Sequence, residues 1–171
     1  MAPRGTRPSR RRLSFFSASG APSLKESEMM DAQGFAPPGV VGADDREILR
    51  SGETLRVLFR HAGEAGFSLV RVAFGPNYLL PRHSHSADCL YYVLAGEVRL
   101  GNRVVGAGDG FFVPRDHPYA YQAGPEGVEL LEFRDATSFD FVVHEDNPDR
   151  WRAIVETARQ NEAAWTASDR G

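Results

Sequence analysis

From Glu53 to Phe133 the chain is cut into short, alternating apolar runs closed by Gly, Pro, Asn or Asp, and this punctuation limits the fold more than any other feature. In Glu53–His61, Leu55, Val57 and Phe59 fall on one face of an extended segment, and Arg56, Leu58 and Arg60 on the other. Gly63 to Gly66 reads as a turn. In Phe67–Phe74, Val70, Val72 and Phe74 share one face, and Phe67, Leu69, Arg71 and Ala73 the other. Further runs follow at residues 90–94, 97–100, 103–105, 110–113, 119–122 and 128–133, with Gly101-Asn102 as a tight hairpin signal. Many short antiparallel strands with regular turns predict an all-β sandwich or barrel.

At 171 residues the chain is long enough for one domain with a proper core. Its 42 % hydrophobic and 25 % charged content is that of an ordinary soluble globular protein. No apolar run approaches the roughly 18 residues of a membrane span, so no membrane partner is expected. The single cysteine, Cys89, excludes an internal disulfide. Charge is uneven. Residues 1–25 carry five arginines and Lys25 without an acid, while the remaining 14 basic residues stand against 23 acidic ones. The folded part is therefore acidic and unsuited to nucleic acid.

The two ends differ from the middle. Residues 1–40 are rich in Ser, Pro, Gly and Arg with little apolar period, and are expected to form a disordered tail. Ser9-Arg10-Arg11-Arg12 faintly resembles a twin-arginine export signal, and the same stretch has the composition of an organelle transit peptide. A third reading places the true start at Met29 or Met30. It is preferred because the apolar part after the arginines is short and broken by Ser17, Ser19, Gly20 and Pro22. The expected compartment is the cytoplasm, with export by a twin-arginine-like N-terminus left open. Residues 41–145 are expected to form the barrel and 146–171 a C-terminal amphipathic helix. Asn147 serves as its N-cap, Pro148 as its first residue, and Trp151, Ile154, Val155, Ala158 and Trp165 as its apolar stripe.

The chemistry concentrates in His83-Ser84-His85 and Cys89. Two histidines at i and i+2 of an extended segment point the same way and can grip one transition-metal ion. The stretch resembles the first motif of the cupins, which has a glycine, His-x-His, a glutamate and a closing glycine. His83, His85 and Gly96 match it. Cys89 stands in the glutamate's place and Asn77 in that of the opening glycine. A second stretch, Gly108-Asp109-Gly110-Phe111-Phe112-Val113-Pro114, resembles the second cupin motif. Beyond it Asp116 replaces a glycine and Tyr119 the metal-binding histidine, with His117 two residues early.

The resemblance covers roughly residues 50–135. It implies a single cupin-like jelly-roll barrel, pairing as a homodimer through its strands. It also implies a divalent metal (Fe, Mn, Ni or Zn) on His83, His85 and Cys89, with Tyr119, His117, Tyr121, Tyr91 and Glu132 as further ligand or pocket residues. Glu132 shares a face with Val128 and Leu130. Turned inward it would be a base or an anchor for a cation, but the preferred reading sets it in solvent beside Arg134 or Arg99. Three functions are compatible with these residues: a barrel binding a small organic ligand, a metal-dependent enzyme of dioxygenase, isomerase or lyase type, and a non-catalytic dimerisation module. The first is preferred, because two of the four expected metal ligands are replaced.

Overall fold

A computed structural model describes residues 13–61 and 66–168. The Arg10–Arg12 run and most of the turn expected at 63–66 lie outside these residues. Eleven elements occur among the described residues: β1 (Met30–Gln33), α1 (Ala43–Ser51), β2 (Glu53–His61), β3 (Phe67–Phe74), β4 (His83–Ser84), β5 (Cys89–Leu100), β6 (Arg103–Gly106), β7 (Gly110–Val113), β8 (Gln122–Arg134), β9 (Phe139–Val143) and α2 (Pro148–Ser168). The larger sheet has the order β2-β3-β8-β5-β6, with β7 also on β5. The smaller has the order β1-β9-β4. The two sheets face each other without closing, a jelly-roll type of layout with a C-terminal helix.

Alternation along β3, β5 and β8 builds the shared interior. Val70, Val72, Val93, Val98 and Leu130 are completely buried, each worth about 1.5–3 kcal/mol of transfer free energy. Register follows the alternation until it is broken. Val57 pairs with inward Val70, but a bulge lets Phe59 pair with outward Leu69. Leu55, Val57 and Phe59 therefore do not share a face as expected, because one extra residue inverts every side chain beyond it.

The glycine substitutions in both motifs keep the backbone shape of the residue they replace. Asn77 and Asp116 each have φ +59°. Asn and Asp are the residues that tolerate this left-handed region best after glycine. Gly96 itself (φ +70°) admits no substitute, since a Cβ there would lie 2.1 Å from the Gly127 carbonyl oxygen.

The expected tail over residues 1–40 is corrected from Ser23 onward. Ser23 bridges to Arg56, Leu24 and Met29 are buried, and β1 pairs in parallel with β9. Two buried apolar side chains and a strand register offset the ordering entropy that composition alone suggested was unmatched. Helix α1, unforeseen in the sequence, is N-capped by Gly42, whose N–H donates to Asp45 Oδ2 (3.0 Å), and Asp45 in turn pairs with Arg159 of α2 (2.6 Å). Helix α2 buries Trp151, Ile154 and Val155 in a second apolar cluster with Val41 and Leu79. Its far end is pinned by Trp165, whose indole N–H donates to Pro76 O (2.9 Å). No described helix is long and apolar enough to cross a membrane.

Candidate functional site

Strand β4 is only two residues long and is held on both sides. His83 pairs with Val143 of β9, and exchanges backbone hydrogen bonds of 2.9 Å with Tyr119. This fixes His83 and His85 with their rings 5.0 Å apart and nearly perpendicular. His83 stacks on Phe141 (4.5 Å), and His85 meets Phe139 edge-on (5.3 Å). Between them Ser84 turns away and bonds His144 Nε2 (2.8 Å). The two histidines line a cavity of about 360 Å³.

Each ring is oriented by a backbone carbonyl. His83 Nδ1 donates to Pro81 O, and His85 Nδ1 to Asp140 O, both at 2.8 Å. The proton is therefore on Nδ1, and each Nε2 is an acceptor. Burial pushes the His83 pKa down to about 4, and the nearby Arg134 cation adds to it. Burial, Arg134 and His83 together push His85 down to about 2. Both imidazoles are neutral across the physiological range.

Strand β8 supplies the charged part of the cavity. Glu132 and Arg134 both face inward and are buried, which corrects the expectation that Glu132 faces solvent. Arg134 Nη1 lies 2.6 Å from Glu132 Oε2, and the guanidinium sits 4.1 Å over the Phe139 ring. Burial opposes the Arg134 charge more than any single neighbour supports it, but Glu132 together with Cys89, Tyr91 and Tyr119 holds the pKa above the usual value. Tyr119 and Tyr121 also line the cavity. Burial, then the Glu132 charge, raises the pKa of both phenols. From the other end α1 and β2 bring Arg46, Arg50 and Glu53. Burial raises Glu53 to about 7, although Tyr78 donates a hydrogen bond to its carboxyl (3.1 Å).

The remaining expected site residues lie elsewhere. Tyr91 does not line the cavity; it reaches it through a short hydroxyl–hydroxyl bond to Tyr119 and stacks on Phe111 (4.4 Å). His117 is exposed beyond the cavity. Cys89 is buried, faces inward beside Arg134 in the sheet and is absent from the cavity wall. Burial pushes its thiol up to about 12, so it is not a thiolate at neutral pH.

The expected set of His83, His85 and Cys89 is therefore not assembled. Among the described residues no cluster of three or more His, Cys, Asp or Glu is arranged to hold a metal ion. The buried acid of the β8 wall, Glu132, is taken up by Arg134, and that guanidinium is itself a cation close enough to lower the pKa of both rings. A second positive charge there would be repelled rather than chelated. Two imidazoles next to a guanidinium do not fit a resident divalent metal.

Sequence reasoning missed Arg134, Phe139 and Phe141. The signal for Arg134 was present in its parity with Glu132. The β9 aromatics had no counterpart signal, because their pairing is with β1 and β4, far away in the chain.

Residues 67–134, from the start of β3 to the end of β8, match the family model of the AraC-like ligand binding domain. Among solved structures, an RmlC-like cupin from Shewanella frigidimarina aligns at 26 % identity over 49 % of this chain and 76 % of its own, with a TM-score of 0.41. KdgF from a Halomonas species aligns at 23 % identity over 50 % and 80 %, TM-score 0.41. The polyketide cyclase RemF from Streptomyces resistomycificus aligns at 20 % identity over 72 % and 79 %, TM-score 0.46. No curated protein matches the chain.

Proposed function

We propose that this chain, a member of the cupin superfamily, binds a small organic ligand inside its barrel and needs no metal to do so. The observation that carries this reading is the cavity of about 360 Å³ between the two sheets, walled by aromatic rings and holding a few convergent polar groups. Its size and lining are those of a small-molecule site. The match of β3 to β8 with a ligand binding domain supports the same reading. A barrel that only paired with a second copy would gain nothing from buried charges and acceptors around an internal space.

The direct test is ligand-observed NMR with a panel of small neutral and charged organic molecules, on protein treated with EDTA. Ala32 lines the cavity and is exposed, so Ala32→Trp narrows the space without cutting into the core. Binders that are retained after EDTA and lost in Ala32→Trp are expected. Binding that needs a stoichiometric metal, lost in the double variant His83→Ala/His85→Ala, would replace this reading with the metalloenzyme.

The homodimer has separate support on the outer face of the larger sheet. Phe59, Leu69, Phe133, Leu90 and Phe112 form one cross-strand row over five strands. Phe112, Leu90 and Phe133 are 58 %, 53 % and 44 % exposed. A contiguous apolar row of this kind is suited to cover by another protein surface, here a second copy of the chain.

A further inference from the structure

Arg134 is 2 % exposed, and among the described residues its Nε and Nη1 have no hydrogen-bond acceptor. The 2.6 Å approach of Nη1 to Glu132 Oε2 is a charge contact without the alignment of a hydrogen bond. Buried guanidinium donors left without acceptors destabilise a fold, and a chain retains such a group where something else completes it. The same guanidinium lies on the wall of the cavity, with its central carbon 4.1 Å from the Phe139 ring centre. Its sheet neighbours are Ser68, whose buried hydroxyl is also unpartnered among the described residues, and Cys89, so neither flanking strand sets an anion directly beside it.

Resting on the ligand-binding reading above, we propose that the ligand is a small carboxylic acid bound as its anion, with the carboxylate forked on the Arg134 guanidinium and the apolar body against Phe139 and Phe141. A carboxylate docks on either edge of a guanidinium with two parallel N–H···O bonds, and each edge uses one of the two idle nitrogens. The charges around the cavity agree with an anion. Arg46, Arg50 and Arg134 face Glu53 and Glu132, and Glu53, whose carboxyl is pushed up to about 7, is only partly ionised at neutral pH. The histidines add a finer preference. Among the described residues their two Nε2 acceptors have no donor, so a hydroxyl next to the carboxylate gains a partner that a plain acid lacks.

Isothermal titration calorimetry on the full chain tests this with three probes of one shape: mandelate, its uncharged amide mandelamide, and phenylacetate, which lacks the hydroxyl. Arg134→Gln alone leaves Glu132 buried and unpaired and can fail to fold. Glu132→Gln/Arg134→Gln replaces both charges by neutral side chains, and circular dichroism checks that it folds. Mandelate is expected to bind one site, at least tenfold tighter than mandelamide, and to lose at least tenfold in the double variant, with phenylacetate weaker than mandelate. Equal binding of mandelate and mandelamide, or mandelate binding unchanged in the double variant, overturns the carboxylate anchor while leaving a ligand-binding cavity. Absence of binding by all three probes, and by every member of the NMR panel, overturns both.

Discussion

The two faces of the larger sheet are built in opposite senses where β8 ends. Outward, the row from Phe59 to Phe112 is apolar, and its Leu90, Phe112 and Phe133 are exposed. Inward, the next row runs Val70, Glu132, Tyr91 and Phe111, and the one after it Ser68, Arg134, Cys89 and Val113. A charged pair is buried and a phenylalanine between its members is exposed, the reverse of what burial alone would choose. Further along the same strand the sense is normal, with Leu130 and Val128 inside. The difference teaches that the interior has an apolar half that holds the fold and a polar half whose charges need a further reason, which the cavity supplies.

The largest effect that would break this comparison is Glu132→Ala. It leaves Arg134 charged, buried and unpaired, and the expected loss is about 3–5 kcal/mol in urea denaturation. The double variant Glu132→Leu/Arg134→Met should regain most of that loss, because a neutral pair no longer needs compensation, while the cavity loses its anion preference. A loss below about 1 kcal/mol for the single variant would mean that the inward face is not the dry interior described here.

A middle-sized effect concerns pH. The folded Glu53 holds its proton up to about 7, whereas the unfolded group releases it near 4.5. The stabilisation from this group is therefore complete below 4.5 and is lost as pH rises from 4.5 to about 7. His83 and His85, depressed from 6.5, act in the opposite direction and lose stability as pH falls below 6.5. Between 4.5 and 6.5 the slopes oppose each other. Glu53→Gln, which keeps a partner for the Tyr78 hydroxyl, removes one of them. The urea midpoint of this variant is expected to rise more steeply from pH 5 to pH 7 than that of the parent. Identical profiles would show that Glu53 titrates as a solvated acid.

The smallest effect on stability belongs to the outer face. Leu90→Ser/Phe133→Ser should change the stability of the isolated fold by only about 0.5 kcal/mol, yet light scattering after gel filtration should show the loss of a dimer present in the parent. A parent that is monomeric, or a dimer that survives both substitutions, would leave that face without a partner.

Much of the fold was legible because strand alternation is a local property. The runs at 67–74, 90–94, 97–100 and 128–133 carry it plainly, and the shared face of Cys89, Tyr91 and Val93 follows from it. The histidine pair was legible for the same reason, since i and i+2 in an extended segment share a face whatever surrounds them. The bulge between Val57 and Phe59 was not, because it is recorded only in the register with β3. Strand β1 was hidden because the tail-like composition before Val41 says nothing of the edge of β9 that pairs with it.

The sequence by itself determined that this chain forms an all-β sandwich or barrel with His83 and His85 on one face, and the cupin resemblance added the jelly-roll layout and the glycine positions that Asn77 and Asp116 fill. It also separated the two faces of β8 without ranking them. Only the tertiary structure decided which face is inside, that Cys89 stays apart from the histidines, and that Arg134 occupies the place a metal's charge would need. The reason is physical. Alternation fixes relative direction along one strand, whereas burial, protonation and the partner of a charge depend on groups that arrive from β3, β4 and β9, which no local pattern in β8 encodes.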